Sequence, residues 1–212
     1  MSLHILLADD HLIVREGLKV LIEREGFTVV GEASDGREAV RLAQELCPDI
    51  ALLDLTMPLL NGIDAGRAIL QTTPKTKIIL LTMHAEDHHV LEALRAGIKG
   101  YILKTKAAEE LVQAIQEVSR GKLYLTPGVS EAVVQAYLAK SEVPPEPLSR
   151  REREVLQLVA EGKTTKEVGV VLGISTKTAE SHRTRIMAKL NIHETASLVR
   201  YAMRMGMIPP VK

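Results

Sequence analysis

The sequence predicts an α/β domain with a parallel sheet, followed by a small all-α domain that contains a helix-turn-helix. Short apolar runs alternate with segments of helical apolar spacing over the first 120 residues. A proline-rich stretch follows, and every later segment has helical spacing and helix caps. Alternating strands and helices favour parallel pairing, right-handed crossovers and helices on both faces of one sheet.

Five strands are predicted from the apolar runs, each followed by a helix. The strands are expected at 4–8, 27–33, 50–53, 77–82 and 100–103. The helices are expected at 12–25, from Ser34 or Asp35 to Leu46, and at 61–71, 86–96 and 107–120. Ser34 and Asp35 are both suitable N-caps, so the spacing alone leaves the start of the second helix open.

The C-terminal part is predicted to form four helices. The first, 150–161, begins with a capping box of Ser149 and Glu152. A short helix from Thr164 or Thr165 to 172 and a third helix from Ser175 or Thr176 to 190 form the helix-turn-helix, and a fourth helix covers about 194–206. The expected core residues are Val155, Leu156, Val159, Leu172, Ile174 and Ile186. Gly169 lies inside the second helix, so either close packing requires it or that helix is weakened.

These elements divide the chain into three parts. Residues 1–122 form the α/β domain, 123–147 a linker with an extra helix at 129–139, and 148–212 the all-α domain. Residues 140–147, KSEVPPEP, contain three prolines and favour an extended, semi-rigid spacer.

Charge is distributed unevenly between the two ends of the chain. Residues 1–140 hold 15 Lys and Arg against 19 Asp and Glu, a net charge of −4, whereas residues 141–212 hold 12 against 8, a net charge of +4. The single cysteine, Cys47, excludes an internal disulfide and a cysteine-based zinc site. There is no basic leader and no apolar run of about 20 residues, so we expect a cytoplasmic protein without a membrane partner.

Polar residues follow the predicted strands at their carboxyl ends. Asp9 and Asp10 follow the first strand, Asp54 the third, and Thr82 and Lys104 end or follow the fourth and fifth. The carboxyl ends of parallel strands meet at one edge of a sheet, where ligands bind. Crowded carboxylates repel one another unless a cation joins them, and such oxygen ligands suit Mg²⁺. This arrangement would make Asp54 a nucleophile towards a phosphoryl group, with Mg²⁺, Lys104 and Thr82 stabilising the phosphoryl oxygens.

Each of these residues also has a purely structural interpretation. Asp9, Asp10 and Asp54 could cap helices or turns, Thr82 could serve as a strand former, and Lys104 could be a solvated lysine. Five such residues at the ends of four strands favour the chemical interpretation. By contrast, a histidine cluster near the fourth strand is expected to be solvated, because its spacing matches no closed metal site. Its members are His84, His88 and His89.

At these motifs the sequence resembles the receiver domain of bacterial two-component response regulators. The resemblance rests on LLADDH, LLDLTMPLLNG, LTMH and KGYILK, and covers about residues 1–120. It implies a flavodoxin-like (βα)5 fold in which Asp54 accepts phosphate from a sensor histidine kinase. It further implies that Asp10, Asp54 and the Thr56 carbonyl ligate Mg²⁺, with Asp9 acting largely through water.

The same resemblance implies a switch pair, Thr82 and Tyr101. A new phosphoryl dianion would draw the Thr82 hydroxyl inward and vacate space for the Tyr101 ring. Tyr101 could instead simply pack at the sheet edge. Leu59 departs from the family pattern, in which glycine often follows Met-Pro, and this leaves the local turn in doubt.

The third C-terminal helix is rich in basic residues. Lys177, Arg183, Arg185 and Lys189 lie on it against one acidic residue, Glu180. A basic stripe is often only a solvated surface, but this one is on the second helix of a helix-turn-helix, which enters the major groove of DNA. The segment from LSRREREVLQLVAEGK to SHRTRIMAKL resembles the LuxR-type DNA-binding domain over residues 148–206. Together the two resemblances indicate the NarL/FixJ group of response regulators.

Positions in the LuxR-type pattern imply two kinds of DNA contact. Glu180, Ser181 and Thr184 are expected to face base edges. The expected phosphate contacts are Lys166, Lys177, Thr178, His182 and Arg185. Ala179 replaces a bulkier aliphatic residue common in the family, so the packing there is expected to differ. The fourth helix is expected to supply a two-fold contact, as in proteins that read palindromic sites.

The resulting hypothesis is a transcription regulator whose dimerisation and promoter binding are controlled by phosphorylation of Asp54. The implied partners are a sensor histidine kinase, double-stranded DNA and a second copy of the chain, with RNA polymerase as a further candidate. Another hypothesis is an aspartyl-nucleophile phosphatase, which needs a second carboxylate two residues after the nucleophile, where Thr56 stands. A third is a phosphorylation-independent transcription factor, or an adaptor that binds only protein, with a vestigial receiver.

Overall fold

The computed structural model describes residues 2–83, 87–127 and 147–209, and for residues 87 and 88 the backbone alone. The chain divides into two compact units, residues 1–141 and 142–212. In the described parts no helix is both long enough and apolar enough to cross a bilayer.

The first unit alternates strands and helices as predicted. Its strands are β1 His4–Ala8, β2 Thr28–Ala33, β3 Ile50–Asp54, β4 Lys77–Thr82, β5 Gly100–Leu103 and β6 Tyr124–Leu125. Its helices are α1 Leu12–Arg24, α2 Gly36–Leu46, α3 Gly62–Thr72, α4 Asp87–Arg95 and α5 Ala107–Ser119, and a single 3₁₀ turn, Lys104–Lys106, follows β5. The predicted element bounds agree with these within a few residues.

All strands pair in parallel in one sheet, in the order β2-β1-β3-β4-β5-β6. The order reverses between β1 and β3, so the loops that follow these two strands diverge to opposite faces and leave a crevice at the carboxyl edge. Ala8 lies opposite Leu53 in the register of β1 and β3. The residues that follow β1 and end β3 are therefore neighbours at this crevice.

The sixth strand was not predicted from the sequence. Tyr124 N donates to Lys99 O at 2.9 Å, and Thr126 N donates to Tyr101 O at 3.0 Å, so the segment continues the sheet beyond β5. Two residues are too few to show an apolar period. The α/β domain therefore includes residues that the sequence division had placed in the linker.

The sheet is covered on both faces, as the continuous apolar strands predict. Ile5 and Leu7 of β1 belong to one core cluster, whereas Leu6 and Ala8 belong to the other. All residues of β3 are buried, including Asp54 at its end. A strand with two covered faces must place a charged residue at its end, where the sheet meets solvent.

Side-chain caps decide where two of the helices begin. Asp35 is the N-cap of α2, and its carboxylate accepts hydrogen bonds from the backbone N–H groups of Arg37 and Glu38, both at 2.9 Å. Asn61 caps α3 by accepting from Asp64 N at 3.0 Å. The choice between Ser34 and Asp35 is thus resolved in favour of Asp35.

The second unit consists of helices over its described residues. These are α6 Arg150–Ala160, α7 Thr165–Leu172, α8 Thr176–Leu190 and α9 Thr195–Arg204. The predicted capping box of Ser149 and Glu152 is present, and a second box of Thr164 and Glu167 begins α7. Of the six expected core residues five are buried, whereas Ile174 is half-buried in the turn between α7 and α8.

Close packing explains the glycine inside α7. A Cβ atom on Gly169 would lie 2.8 Å from the carbonyl oxygen of Ile174, in the turn that leads to α8. Gly173 ends α7 in the left-handed region with φ 64°, and its N–H donates to both Gly169 O and Val170 O. The backbone of the helix-turn-helix is therefore too tight at this point for any side chain. The helix predicted at 129–139 lies outside the described residues.

Candidate acidic site and nucleic-acid interface

Two carboxylates are buried at the carboxyl edge of the sheet. Asp9 directly follows β1 and is fully buried, and Asp54 ends β3 and is 2% exposed. Asp10, by contrast, is exposed. The backbone N–H of His11 donates to Asp9 Oδ1 at 2.9 Å and fixes the direction of that carboxylate. Two buried carboxylates at one edge require a cation nearby.

Lys104 supplies a positive charge to both carboxylates. It lies in the 3₁₀ turn after β5, and its Nζ is 2.8 Å from Asp9 Oδ2 and 3.0 Å from Asp54 Oδ1. Its side chain is only 13% exposed. The three residues lie at or just after the carboxyl ends of three different strands, β1, β3 and β5, and the parallel sheet brings them together.

The protonation of Asp54 reflects this environment. Burial raises the pKa of Asp54 to about 6, the Asp9 carboxylate adds to the rise, and Lys104 opposes it. Burial by itself would lower the pKa of the Lys104 ammonium, but the Asp54 and Asp9 carboxylates outweigh this effect and raise that pKa. Lys104 is therefore charged at neutral pH, while Asp54 is close to taking up a proton. An additional cation would favour the ionised carboxylate.

The site contains a set of atoms that can hold a metal ion. One ligand atom each from Asp9, Asp10, His11 and Asp54 lies within 4.8 Å of the others. Carboxylate oxygens that leave several positions to water and phosphate are the ligands that Mg²⁺ prefers. The sequence motifs did not single out His11, although its Nδ1 is 2.9 Å from Asp10 Oδ1. Thr56, whose carbonyl was the fourth expected ligand, is half-buried in the loop after β3.

Thr82 and Tyr101 lie on adjacent strands. Thr82 ends β4, is fully buried and lies opposite Leu103 of β5. Tyr101 is 1% exposed and belongs to the core cluster that contains Leu80 and Val90. Because β6 pairs with β5, Tyr101 is not at the sheet edge, which was the alternative interpretation of this aromatic residue.

The loop between β3 and α3 is tightly folded around Asp54. Leu59 adopts φ 65°, the left-handed region, which explains why glycine is common at this position in the family pattern. A Cβ on Gly62 would lie 2.2 Å from Asp54 O, and Gly62 N donates to Leu55 O at 2.8 Å. The loop thus keeps its fold with a strained leucine, and its glycine packs directly on the backbone of the buried carboxylate.

Of the three histidines near β4, only His89 has a described side chain. His89 lies in α4 and is buried, at 2% exposure, so the expectation that it is solvated was wrong. His84 and the His88 side chain lie outside the described residues. Among described side chains, the acidic group around Asp54 is the candidate site for a cation.

The predicted DNA-contacting residues lie on α8 and at the start of α7. All but one of them are exposed, and His182 is half-buried; the exposed ones are Lys166, Lys177, Thr178, Glu180, Ser181, Thr184 and Arg185. Ser175 caps α8 by accepting from Thr178 N at 3.1 Å. Ala179 is 1% exposed, so the small residue faces the core of the second unit. Glu180, Ser181 and Thr184 share the exposed side of the helix.

Two of the four basic residues on α8 are engaged within the second unit. Arg183 Nη2 donates to Thr195 Oγ1 of α9 at 2.7 Å, and Lys189 Nζ donates to Glu152 Oε2 of α6 at 2.7 Å. Lys177 and Arg185 form no hydrogen bond or ion pair with another described residue. Fewer basic side chains of α8 are therefore unengaged than the sequence alone indicates.

Two family models match the two units of the chain. The response regulator receiver domain matches residues 5–116, and the model for bacterial regulatory proteins of the luxR family matches residues 146–202. The receiver match contains Asp9, Asp54 and Lys104, and the luxR match contains the helix-turn-helix.

Similar proteins extend over nearly the whole chain. The transcriptional regulatory protein LiaR of Bacillus subtilis (strain 168) is 41% identical over 205 residues, 95% of this chain and 97% of LiaR. The response regulator UvrY of Escherichia coli (strain K12) is 36% identical over 208 residues, 97% of this chain and 95% of UvrY. A structure of RcsB from Salmonella enterica serovar Typhimurium, bound to the promoter P1flhDC with the phosphomimetic BeF3−, is 29% identical; the match covers 95% of this chain and 98% of RcsB with a TM-score of 0.63. The chain therefore belongs to the NarL/FixJ family of response regulators, transcription regulators that join a receiver domain to a LuxR-type helix-turn-helix domain.

Proposed function

We propose that Asp54 is the phosphoacceptor of this response regulator and that its phosphorylation by a sensor histidine kinase controls promoter binding. One observation carries the proposal: Lys104 Nζ lies within 3.0 Å of both Asp54 and Asp9 in a buried cluster at the carboxyl edge of the sheet. A lysine that pairs with a nucleophilic carboxylate in this way is placed to neutralise an incoming phosphoryl group.

The reaction transfers one phosphoryl group from a histidine nitrogen of the kinase to Asp54. An oxygen of the Asp54 carboxylate attacks phosphorus, the nitrogen–phosphorus bond breaks, and an aspartyl phosphate forms while the kinase histidine is released. We assign charge stabilisation to Lys104 and a hydrogen bond to the phosphoryl group to the Thr82 hydroxyl. Bound Mg²⁺ would neutralise charge on the phosphoryl oxygens.

We assign the Mg²⁺ ligands to Asp10, Asp54 and the Thr56 carbonyl, with Asp9 acting through water. The donor set supports this assignment, because the carboxylate oxygens of Asp9, Asp10 and Asp54 lie within 4.8 Å of one another. The exposed Asp10 carboxylate is accessible to an ion and its waters. The raised pKa of Asp54 also supports it, since burial disfavours the ionised carboxylate even beside Lys104, and a bound cation would offset that cost.

The activity controlled by phosphorylation is the binding of double-stranded DNA by α8. We assign base contacts to Glu180, Ser181 and Thr184, all of which are exposed on this helix. We assign phosphate contacts to the remaining predicted residues: Lys166, Lys177, Thr178, His182 and Arg185. The RcsB structure with promoter DNA supports this output by its similarity to the whole chain.

We further propose that phosphorylation changes the Thr82 and Tyr101 pair and favours a homodimer on DNA, from which RNA polymerase could be contacted. The buried Tyr101 ring belongs to the same sheet as Thr82, one strand away. DNA binding and a single cysteine, which cannot form an internal disulfide, both favour a cytoplasmic location. An external phosphatase activity is not proposed, because Thr56 stands where a second catalytic carboxylate would be needed.

The test compares wild-type protein with Asp54→Ala. Both are incubated with Mg²⁺ and acetyl phosphate, and intact mass and affinity for DNA selected from a random pool are measured. We expect wild type to gain one phosphoryl group and to bind the selected DNA more tightly, whereas Asp54→Ala should do neither. Asp49→Ala serves as a matched control, because Asp49 precedes β3 at the amino edge of the sheet, where its carboxylate accepts from His4 N at 2.8 Å, and its loss should leave phosphorylation intact.

Two outcomes would overturn parts of the proposal. An equal gain in DNA binding by wild type and Asp54→Ala would indicate a phosphorylation-independent regulator with a vestigial receiver. Failure of residues 145–212 to bind DNA in a salt-sensitive way would favour an adaptor that binds only protein.

A further inference from the structure

The last turn of the recognition helix is tied to the first helix of its own domain. Lys189 lies near the C-terminal end of α8, and its Nζ is 2.7 Å from Glu152 Oε2 in the first turn of α6. Glu152 and Lys189 are 37 residues apart in the chain. This ion pair is therefore a tertiary contact between two helices, whereas the sequence alone suggested that Lys189 belongs to a DNA-facing basic stripe.

The Glu152 carboxylate accepts hydrogen bonds from Ser149 as well as from Lys189. The same oxygen, Oε2, accepts from Ser149 N at 2.7 Å and from Ser149 Oγ at 2.8 Å. Burial by itself would raise the pKa of Glu152, but the hydrogen bonds from Lys189 and Ser149 outweigh it and lower the pKa to about 2. The carboxylate is thus ionised and fixed by its capping box, which makes it a rigid partner for the lysine.

The first helix also holds the other half of the helix-turn-helix. Arg151 Nη2 donates at 2.6 Å to the carbonyl oxygen of Leu172, which is the last residue of α7. Arg151 Nη1 pairs with Glu154 Oε2 at 2.7 Å. Adjacent residues of α6 therefore anchor the C-terminal ends of α7 and α8. Helix α6 therefore holds α7 and α8, the two helices of the helix-turn-helix, in place.

We propose that Lys189 is a positioning residue rather than a phosphate contact, and that the Glu152–Lys189 pair sets the direction of α8 relative to the DNA groove. The inference rests on the proposed DNA-binding function. Glu180 is nine residues before Lys189, so the groove-facing part lies roughly 14 Å from the anchored end at the rise of an α-helix. A small tilt about the anchored end therefore displaces the base-contacting side chains, whereas backbone contacts tolerate it better.

The two roles predict different salt dependences. A lost phosphate contact lowers the slope of log affinity against log salt by about 0.9 and weakens all sequences alike. A lost positioning contact leaves the slope unchanged and lowers the ratio of specific to non-specific affinity. Lys177→Met is the matched control for a phosphate contact, because Lys177 is exposed on the same helix and is unpaired among the described residues.

The experiment measures affinity of the full-length protein, treated with acetyl phosphate and Mg²⁺, across a salt series. The probes are a duplex selected from random DNA and an unrelated duplex of equal length. For Lys189→Met we expect an unchanged slope and a specific-to-non-specific ratio lowered by about tenfold, and for Lys177→Met a lower slope with the ratio unchanged. Lys189→Arg should restore the ratio, because arginine can keep the pair with Glu152.

A second variant separates positioning from folding. Glu152→Gln keeps a side chain that can complete the capping box but removes the charge that holds Lys189. It should lower the ratio as Lys189→Met does, and the double variant should add little to either. A slope lowered by about 0.9 in Lys189→Met, or an unchanged ratio in both variants, would overturn this inference and leave DNA binding intact. Absence of salt-dependent binding by wild type would overturn the proposed function as well.

Discussion

Lys104 Nζ lies 3.0 Å from Asp54 Oδ1, and this ion pair places the positive charge of the last loop of the sheet at the proposed phosphoacceptor. The two residues come from β3 and from the turn after β5, with β4 between these strands. Only 13% of the lysine side chain is exposed. The pair is therefore a sensitive point at which to test the site.

Replacement of this lysine should impair phosphorylation. Lys104→Met leaves Asp9 and Asp54 without their shared cation and removes a donor for the phosphoryl oxygens. We expect the initial rate of phosphorylation by acetyl phosphate to fall by about 100-fold, the usual effect of losing one preorganised donor. Intact-mass measurement over time gives the rate. Lys106→Met is the control, because Lys106 is half-exposed and pairs only with Glu109 among described residues; equal rates for both variants would contradict the role of Lys104.

The raised pKa of Asp54 predicts a pH dependence of stability in the absence of divalent metal. The folded-state pKa of about 6 is above the ordinary value of 3.8, so the stability contributed by protonated Asp54 is fully present below about pH 4 and is lost as pH rises through 6. The free energy of unfolding of Asp54→Asn should therefore rise relative to that of wild type as pH rises from 4 to 7, by at most about 3 kcal/mol. Urea unfolding in chelator at several pH values measures the difference, and a pH-independent difference would contradict the prediction.

Leu59 is predicted to be under backbone strain. It has φ 65°, which costs residues with a side chain about 1–2 kcal/mol and glycine almost nothing. Leu59→Gly should therefore be more stable than Leu59→Ala by about 1 kcal/mol, since both variants lose the same packing. Chemical denaturation measures both. Val20, which is exposed within α1, serves as the control. There Val20→Gly should be less stable than Val20→Ala by about 1 kcal/mol, because glycine is unfavourable inside a helix.

Gly62 is predicted to be essential for the geometry around Asp54. Its substitution by alanine places Cβ 2.2 Å from Asp54 O, which forces the loop or the end of β3 to move. Gly62→Ala should destabilise the protein by about 3 kcal/mol and slow phosphorylation. Gly17→Ala is the control, because Gly17 lies in α1 with nothing within 4 Å of the added atom. Gly17→Ala should be more stable than wild type by up to about 1 kcal/mol. Equal losses of stability in Gly17→Ala and Gly62→Ala would indicate a general effect of the substitution.

Much of the fold could be predicted because its pattern is local. The apolar runs of β1, β3, β4 and β5 and the caps of the C-terminal helices are visible in a few consecutive residues. The acidic site could also be predicted, since parallel strands bring their carboxyl ends to one edge. The two-residue β6 could not, because its existence depends on the partner strand and not on its own pattern.

Some functional assignments required the folded chain. Lys177 and Lys189 are equivalent in the sequence as basic residues of one helix, but Lys189 is paired with Glu152 in the structure. His11 joins the group around Asp54 only because the loop after β1 turns its ring towards Asp10. In each case the deciding partner is a matter of side-chain direction, which residue type and spacing leave open.

The sequence by itself determined the two domain types, the order of the elements and the identity of the proposed phosphoacceptor, Asp54. These depend on periodicity and on residues at strand ends, which are properties of short segments. Tertiary structure alone decided that Lys104 bridges Asp9 and Asp54, that Leu59 occupies the left-handed region, and that Lys189 is turned towards Glu152. Those relationships join residues far apart in the chain or depend on backbone torsions, so they exist only once the elements have packed.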